Sequence, residues 1–61
     1  MPSSLALFEC RIRYDVGHGP LRTVVYILPA VNFDKAGDAA IARARADGFR
    51  IVVAVTADEV K

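Results

Sequence analysis

Side chains that could carry out catalysis are scarce in this 61-residue chain, which has one cysteine, Cys10, and one histidine, His18. Cys10 lies within an alternating apolar stretch, where a cysteine is usually a small buried hydrophobic residue. No general base adjoins it in sequence to activate the thiol as a nucleophile. His18 lies between Gly17 and Gly19. That setting is typical of a turn; a contact with a partner, or a metal ion shared at an oligomer axis, is the alternative. We therefore predict no catalytic residue and a protein that is not an enzyme.

The same residues lack the spacing of a metal or phosphate site. A zinc ion needs three or four converging ligands, and Asp15 with His18 supplies too few. The glycine-flanked histidine leads into a predicted strand, whereas phosphate-binding loops precede a helix whose first turn holds the anion. Asp38 and Asp47 are nine positions apart in the predicted helix, which is more typical of solvated side chains than of an acid/base pair. We predict neither a metal ion nor a cofactor.

The composition describes one small folded domain, residues 1–61. Hydrophobic residues make up 54% of the chain, more than a disordered chain contains. A formal charge of +1 gives no whole-protein field that would indicate nucleic acid or a membrane as the partner. A domain of this length buries only about 60% of its unfolded surface and is marginally stable alone. A lone cysteine forms no disulfide within the chain, so we expect self-association to supply the missing stability.

The sequence shows no targeting signal. The first residues lack a basic segment, and the apolar run at residues 5–8 is too short for the core of a signal peptide. The longest apolar run, residues 24–31, includes Pro29 and is far shorter than the roughly 20 residues that span a bilayer. An unpaired cysteine fits a reducing compartment. We therefore expect a soluble, cytoplasmic protein with no membrane partner.

The first half of the chain predicts a β-hairpin. Residues 5–14 alternate between apolar and charged side chains from Phe8 onward, as a half-buried strand does. Residues 21–28 are rich in β-branched and aromatic side chains, which favours a second strand. Two glycines and a proline lie between these stretches and predict a turn over residues 15–20.

The second half predicts a helix and a third strand. Residues 33–47 are rich in alanine, with Asn32 or Asp34 as the N-cap and Gly48 as the residue that ends the helix. Ile41 is the one large side chain on the apolar stripe within the helix, so we expect it in the core and the helix close to the sheet. Residues 49–56 predict a strand, followed by a frayed polar tail.

These elements give an α+β fold with the order β-β-α-β, in which one helix packs on one face of a three-stranded sheet. The third strand has two places available after the helical crossover. It can pair with the second strand, or lie on the far side of the first strand and run antiparallel to it. We favour the second arrangement, which has the strand order 3-1-2.

The predicted turn also predicts a register. If residues 15–20 form the loop, Tyr14 lies opposite Leu21 and Cys10 opposite Val25. The helix-covered face then holds Cys10 with Val25 and Ile27, and the opposite, open face is rich in arginine and apolar side chains. We take as partner-binding residues of this open face Arg11, Arg13, Arg22, Val24, Tyr26, Leu28, Arg50 and Val52.

An open sheet face of this composition predicts a small binding protein. Exposed apolar side chains beside tyrosine and arginine favour a protein–protein contact, with self-association into a homodimer as its commonest form. The simpler interpretation is that the arginine stems cover the apolar residues. An alternative function is a platform for single-stranded nucleic acid, on which bases stack against Tyr26 and arginine. From its size alone the chain could also be a phage accessory protein or an inhibitor of a host protein.

Overall fold

The computed structural model describes residues 5–60. Within them the chain forms strands and a helix in the order β1 (Ala6–Asp15), β2 (Arg22–Ala30), α1 (Phe33–Ala46) and β3 (Ile51–Glu59). Strand β1 pairs antiparallel with both other strands, so that the sheet order is β2-β1-β3. The predicted α+β fold, element order and strand order are therefore confirmed.

The helix begins and ends where the sequence predicts. The side chain of Asn32 accepts a hydrogen bond from the backbone N–H of Lys35 and caps the first turn. At the other end Gly48 has a φ of 97°, and the N–H of Phe49 bonds to the carbonyl of Ala44 at 2.9 Å. This left-handed glycine and its reversed hydrogen bonds form a Schellman motif, which directs the chain back toward the sheet.

The core lies between β1 and α1. Its central residues are at most 2% exposed and consist of large or medium side chains on β1 and alanines on the helix: Phe8, Cys10, Ile12, Ala36, Ala40 and Ala44. The alanines let the helix lie close to β1, as predicted. Ile41, predicted in the core, is partly buried and packs against the edge of this cluster.

The hairpin register differs by one residue from the predicted one. Tyr14 pairs with Arg22 and Cys10 with Tyr26, whereas the prediction set Tyr14 opposite Leu21. Strand β1 continues to Asp15, whose side chain accepts the N–H of Gly17 at 2.8 Å. The segment between the paired residues Tyr14 and Arg22, residues 15–21, is one residue longer than the predicted segment 15–20. Because successive side chains of a strand point to opposite faces, this shift exchanges the two faces of β2.

Strand β3 contains an irregularity and is longer than predicted. Tyr14 pairs with Val52 and Arg13 with Ala54, which leaves Val53 as the extra residue of a β-bulge. The strand extends to Glu59, and the N–H of Val60 still bonds to Leu7 at 2.8 Å. The predicted frayed tail is thus paired with β1 as far as Val60. Pairing with the long central strand stabilises these residues.

Candidate interaction surface

The open face of the sheet, the side away from α1, is built from alternate residues of all three strands. On β1 these are the odd-numbered positions, including Arg11 and Arg13, as predicted. The register places the odd-numbered positions of β2 on this face. On β3 the bulge changes the alternation, so the open face holds Ile51 on one side of it and the even-numbered positions from Ala54 onward on the other. The resulting set is Leu7, Glu9, Arg11, Arg13, Asp15, Thr23, Val25, Ile27, Pro29, Ile51, Val53, Ala54, Thr56 and Asp58.

Five large aliphatic side chains on this face are about half exposed. Leu7 and Val25 are 49% exposed and Ile27 is 58% exposed; these three form what we call the β2-side patch. Ile51 and Val53 are 56% and 54% exposed and form the β3-side patch. No element among residues 5–60 covers either patch, because α1 occupies only the other side of the sheet.

A charged stripe on β1 separates the two patches. Glu9 and Arg11 form an ion pair at 3.0 Å, with a hydrogen bond from the Nε of Arg11 to the same carboxylate oxygen. Arg13 lies further along the strand, between Thr23 and Ala54, and makes no ion pair with another residue of 5–60. One arginine is therefore held in place by its neighbour and the other is free to meet a partner.

Four of the predicted partner-binding residues, Tyr26 and the three aliphatic ones, lie on the helix side of the sheet and not on the predicted open face. Val24, Tyr26, Leu28 and Val52 are partly buried and pack against the core beneath α1. The shifted hairpin register moves the first three, and the position of Val52 opposite Tyr14 moves the fourth. They stabilise the fold from the helix side and are not open-face residues.

Tyr26 instead fastens β2 to the end of the helix. Its hydroxyl donates a hydrogen bond to the Asp47 carboxylate at 2.7 Å, and the guanidinium of Arg43 lies 5.7 Å from the centre of its ring. Arg43 also reaches Asp47, at 3.8 Å. Desolvation, followed by the hydrogen bond to Asp47 and the negative charge of that group, raises the pKa of Tyr26 above its ordinary value. Tyr26 thus has a structural role.

The two remaining predicted residues, Arg22 and Arg50, lie at the same end of the molecule. Both are exposed, and they line a cavity of about 580 Å³ between the hairpin loop and the junction that leads from α1 into β3. Tyr14, His18 and Phe49 also line it. Arg22 pairs with Tyr14 and so belongs to the helix side of the sheet, which corrects its predicted place on the open face.

The remaining reactive side chains are dispersed. Cys10 is fully buried, with its sulfur 3.6 Å from the carbonyl of Ala36, and burial raises the pKa of its thiol. Between residues 5 and 60, no three His, Cys, Asp or Glu side chains come together as metal ligands would. No helix in this part of the chain has the length and apolar character needed to cross a membrane.

The sequence reasoning missed the aliphatic residues that dominate the open face: Val25, Ile27, Ile51 and Val53. For Val25 and Ile27 the sequence pattern of β2 favours neither register, and the pairing depends on the glycine-containing loop. Gly17 and Gly19 both adopt positive φ, at 94° and 80°, and a hairpin loop with two such residues can close at more than one length. For Ile51 and Val53 the unbroken apolar run of β3 contained no glycine or proline that would indicate a bulge.

Comparison with known proteins supplies no relative. The chain matches no model of a protein family, no curated protein sequence and no solved structure. Its function can therefore be inferred only from its own residues and surface.

Proposed function

We propose that this protein is a non-catalytic interaction module that forms a homodimer through the open face of its sheet. The observation that supports the proposal is the set of five half-exposed aliphatic side chains on the uncovered face. Monomeric soluble proteins rarely expose apolar patches of large extent, and such patches on other proteins mark interaction sites. The open face of an antiparallel sheet is usually polar, whereas half of the side chains on this one are apolar.

The arrangement of the face suits a protein partner. Apolar patches bordered by arginine resemble the composition of protein interfaces, in which aliphatic contacts are buried and arginine is enriched. Because Arg11 is already held by Glu9 at 3.0 Å, less conformational entropy is lost when a partner covers it. Arg13 has no such pair and can form a new contact.

A second copy of the chain is the partner that physical considerations favour. Most soluble oligomers are symmetric homomers, and a two-fold interface uses the same surface on both protomers. The protomer is also short enough to gain stability from a partner that binds only its folded form. An accessory protein, or an inhibitor of a host protein, would engage its target through the same face. The free, buried thiol of Cys10 supports the cytoplasm as its compartment.

The corrected open face gives less support to the nucleic-acid alternative. Tyr26, the one aromatic residue on which stacking depended, lies beneath the helix side and bonds to Asp47. Among residues 5–60 no aromatic side chain remains on the open face. Stacking on aromatic rings is a main source of affinity for single strands, so the face retains only its arginines for such a role.

The test is sedimentation equilibrium of the wild type and two variants matched in chemistry. Val25→Glu places a carboxylate on the open face, directly opposite Arg11 across the ladder, so the protomer can accommodate it by pairing. Val31→Glu makes the same change between β2 and α1, outside the sheet. The two valines are 49% and 48% exposed, so the loss of protomer packing is similar.

We expect the wild type to show a monomer–dimer equilibrium and Val25→Glu to weaken it by about tenfold or more, roughly 1.4 kcal/mol. The reason is that a dimer of this variant would bury two added carboxylates, one from each protomer, and desolvating them costs free energy. Val31→Glu should leave the equilibrium unchanged. A wild type that stays monomeric throughout the concentration range, or equal effects of the two variants, would contradict the proposal. Oligonucleotide binding that falls steeply with salt and disappears in Arg13→Gln would favour the nucleic-acid function instead.

A further inference from the structure

We infer that the cavity at the loop end of the molecule binds a planar aromatic anion of the size of a nucleoside monophosphate. This inference goes beyond the proposed function, since the cavity lies at the end of the sheet and shares only Ile51 with the two open-face patches. The cavity has a volume of about 580 Å³, within the range of about 300–1,000 Å³ that small-molecule sites occupy. Its walls combine cations and aromatic rings.

Two arginines line the cavity, one from the start of β2 and one from the junction before β3. Arg22 begins β2 and Arg50 immediately precedes β3, so the fold brings together residues that are 28 positions apart. Neither forms an ion pair with another residue of 5–60. Guanidinium groups bind phosphate in a planar, bidentate geometry. Two exposed and unpaired guanidiniums on one cavity therefore indicate an anionic ligand.

The carboxylate that also lines the cavity does not cancel both arginines. Asp15 is the only acidic residue among those lining residues, and one of its oxygens accepts the N–H of Gly17 at 2.8 Å. Its negative charge opposes one of the two arginines, and a positive charge remains. His18, from the hairpin loop, adds a ring nitrogen that can donate a hydrogen bond.

A pair of aromatic rings supplies the second kind of contact. Tyr14 and Phe49 lie 4.3 Å apart between ring centres with a tilt of 32°, and both are half-buried. Tyr14 lies in the central strand between Arg22 and Val52, and the backbone N–H of Phe49 bonds to the carbonyl of Ala44. The contact between the two rings restricts the motion of both. Rings that are positioned before a ligand binds are efficient stacking surfaces, and any flat base gains binding free energy by stacking on them.

The combination of two unpaired arginines and a fixed aromatic pair selects a ligand that has both a flat ring and a phosphate. An inorganic anion would use only the arginines, and a neutral nucleoside would use only the rings. The probes that separate these contributions are adenosine monophosphate, adenosine and inorganic phosphate, each titrated into isotopically labelled protein and followed by amide and aromatic NMR shifts.

We expect saturable shifts at Tyr14, His18 and Phe49 with adenosine monophosphate. Affinity should be at least about tenfold lower for adenosine, which lacks the charge-assisted contacts to the arginines, and for phosphate, which lacks ring stacking. Arg22→Gln and Arg50→Gln should each lower the affinity for adenosine monophosphate about tenfold. Arg45→Gln is the matched control, because Arg45 is exposed on the helix and does not line the cavity. It should leave the affinity unchanged.

The inference is overturned if adenosine monophosphate gives no saturable shift at millimolar concentration, or if its shifts map to the β2-side patch, which does not line the cavity. Equal affinity of adenosine and adenosine monophosphate would also overturn it, as would an effect of Arg45→Gln equal to those at the cavity. Amide spectra of each variant without ligand report whether its fold is intact. Sedimentation of the same samples shows whether dimerisation, the proposed function, holds or fails independently.

Discussion

Replacing isoleucine by alanine at two positions of the hairpin tests the register on which the open face depends. Ile12 is 0% exposed at the centre of β1, between Val24 and Val55. Ile27 is 58% exposed on β2, one of the two edge strands. The predicted register, which the structure corrects, would bury both side chains. The observed register buries only Ile12, so the same chemical change should have very different consequences.

The expected magnitudes follow from burial. Ile12→Ala should lower the free energy of unfolding by about 2–5 kcal/mol, the range for removal of a large buried side chain. A domain of this length has a total free energy of unfolding of about 3–9 kcal/mol, at 0.05–0.15 kcal/mol per residue. If the wild type lies at the low end of that range, Ile12→Ala is largely unfolded. Ile27→Ala should cost about 1 kcal/mol or less, mainly through strand propensity. Ile12→Val, at about 0.5–1.5 kcal/mol, gives a measurable folded variant.

The assay is urea denaturation followed by circular dichroism, at a protein concentration low enough to keep the chain monomeric. At higher concentration the cost of Ile27→Ala should increase, because Ile27 lies in the proposed dimer interface, while the cost of Ile12→Val should stay constant. An Ile27→Ala cost as large as that of Ile12→Ala in the monomer would show that Ile27 is in the core. The register and the open face described above would then both be wrong.

Three further predictions concern the helix end, the thiol and the tyrosine. Gly48→Ala should lower the free energy of unfolding by about 1–2 kcal/mol, because φ is 97° at this residue. Gly37→Ala, within the helix, should raise it by about 0.5–1 kcal/mol. Thermal melts that show a change of the same sign for both variants would contradict the helix boundaries. Cys10 is buried with a raised pKa, so a disulfide reagent should modify it slowly and faster with added urea; rapid modification of the native protein would contradict its place in the core. The raised pKa of Tyr26 means that the tyrosine hydroxyl holds its proton more tightly in the folded than in the unfolded state. The protonated hydroxyl therefore stabilises the fold fully below about pH 10, and this stabilisation is lost as pH rises through the folded-state pKa of Tyr26. Tyr26→Phe should remove that alkaline loss, and an unchanged pH profile would show that the hydrogen bond to Asp47 has no energetic effect.

The parts of the fold that could be predicted are those in which one side of an element differs clearly from the other. On β1 the charged residues Glu9, Arg11 and Arg13 alternate with buried ones, so their face was determined by the sequence pattern. The helix end was equally clear, because a glycine after an alanine-rich stretch supplies the left-handed residue that the Schellman motif requires.

The faces of β2 could not be predicted in the same way. The segment from Val24 to Leu28 is apolar at every position, so either register buries a hydrophobic set. Pairing is then decided by the loop. The positive φ of Gly17 and Gly19 and the hydrogen bond to the Asp15 side chain accommodate one residue more than the predicted loop between the paired residues. A change of one residue in loop length transfers Val25 and Tyr26 to opposite faces.

The bulge in β3 has a comparable effect and no local signal. Ile51, Val52 and Val53 are interchangeable by strand propensity, and their positions depend on how β3 meets the end of β1. The candidate cavity depends on the same long-range pairing, because Arg22 and Arg50 meet only when the sheet order and both registers are set.

An isotope-filtered NOE experiment on a mixture of labelled and unlabelled chains tests the proposed dimer most directly, because it detects contacts between methyl groups of different protomers. We expect intermolecular signals from the open-face patches, led by Leu7, Val25 and Ile27. The exposed side chain of Val31, outside the sheet, should show none. Intermolecular contacts confined to Val31 and the helix surface, or no such contacts in a concentrated sample, would contradict self-association through the open face.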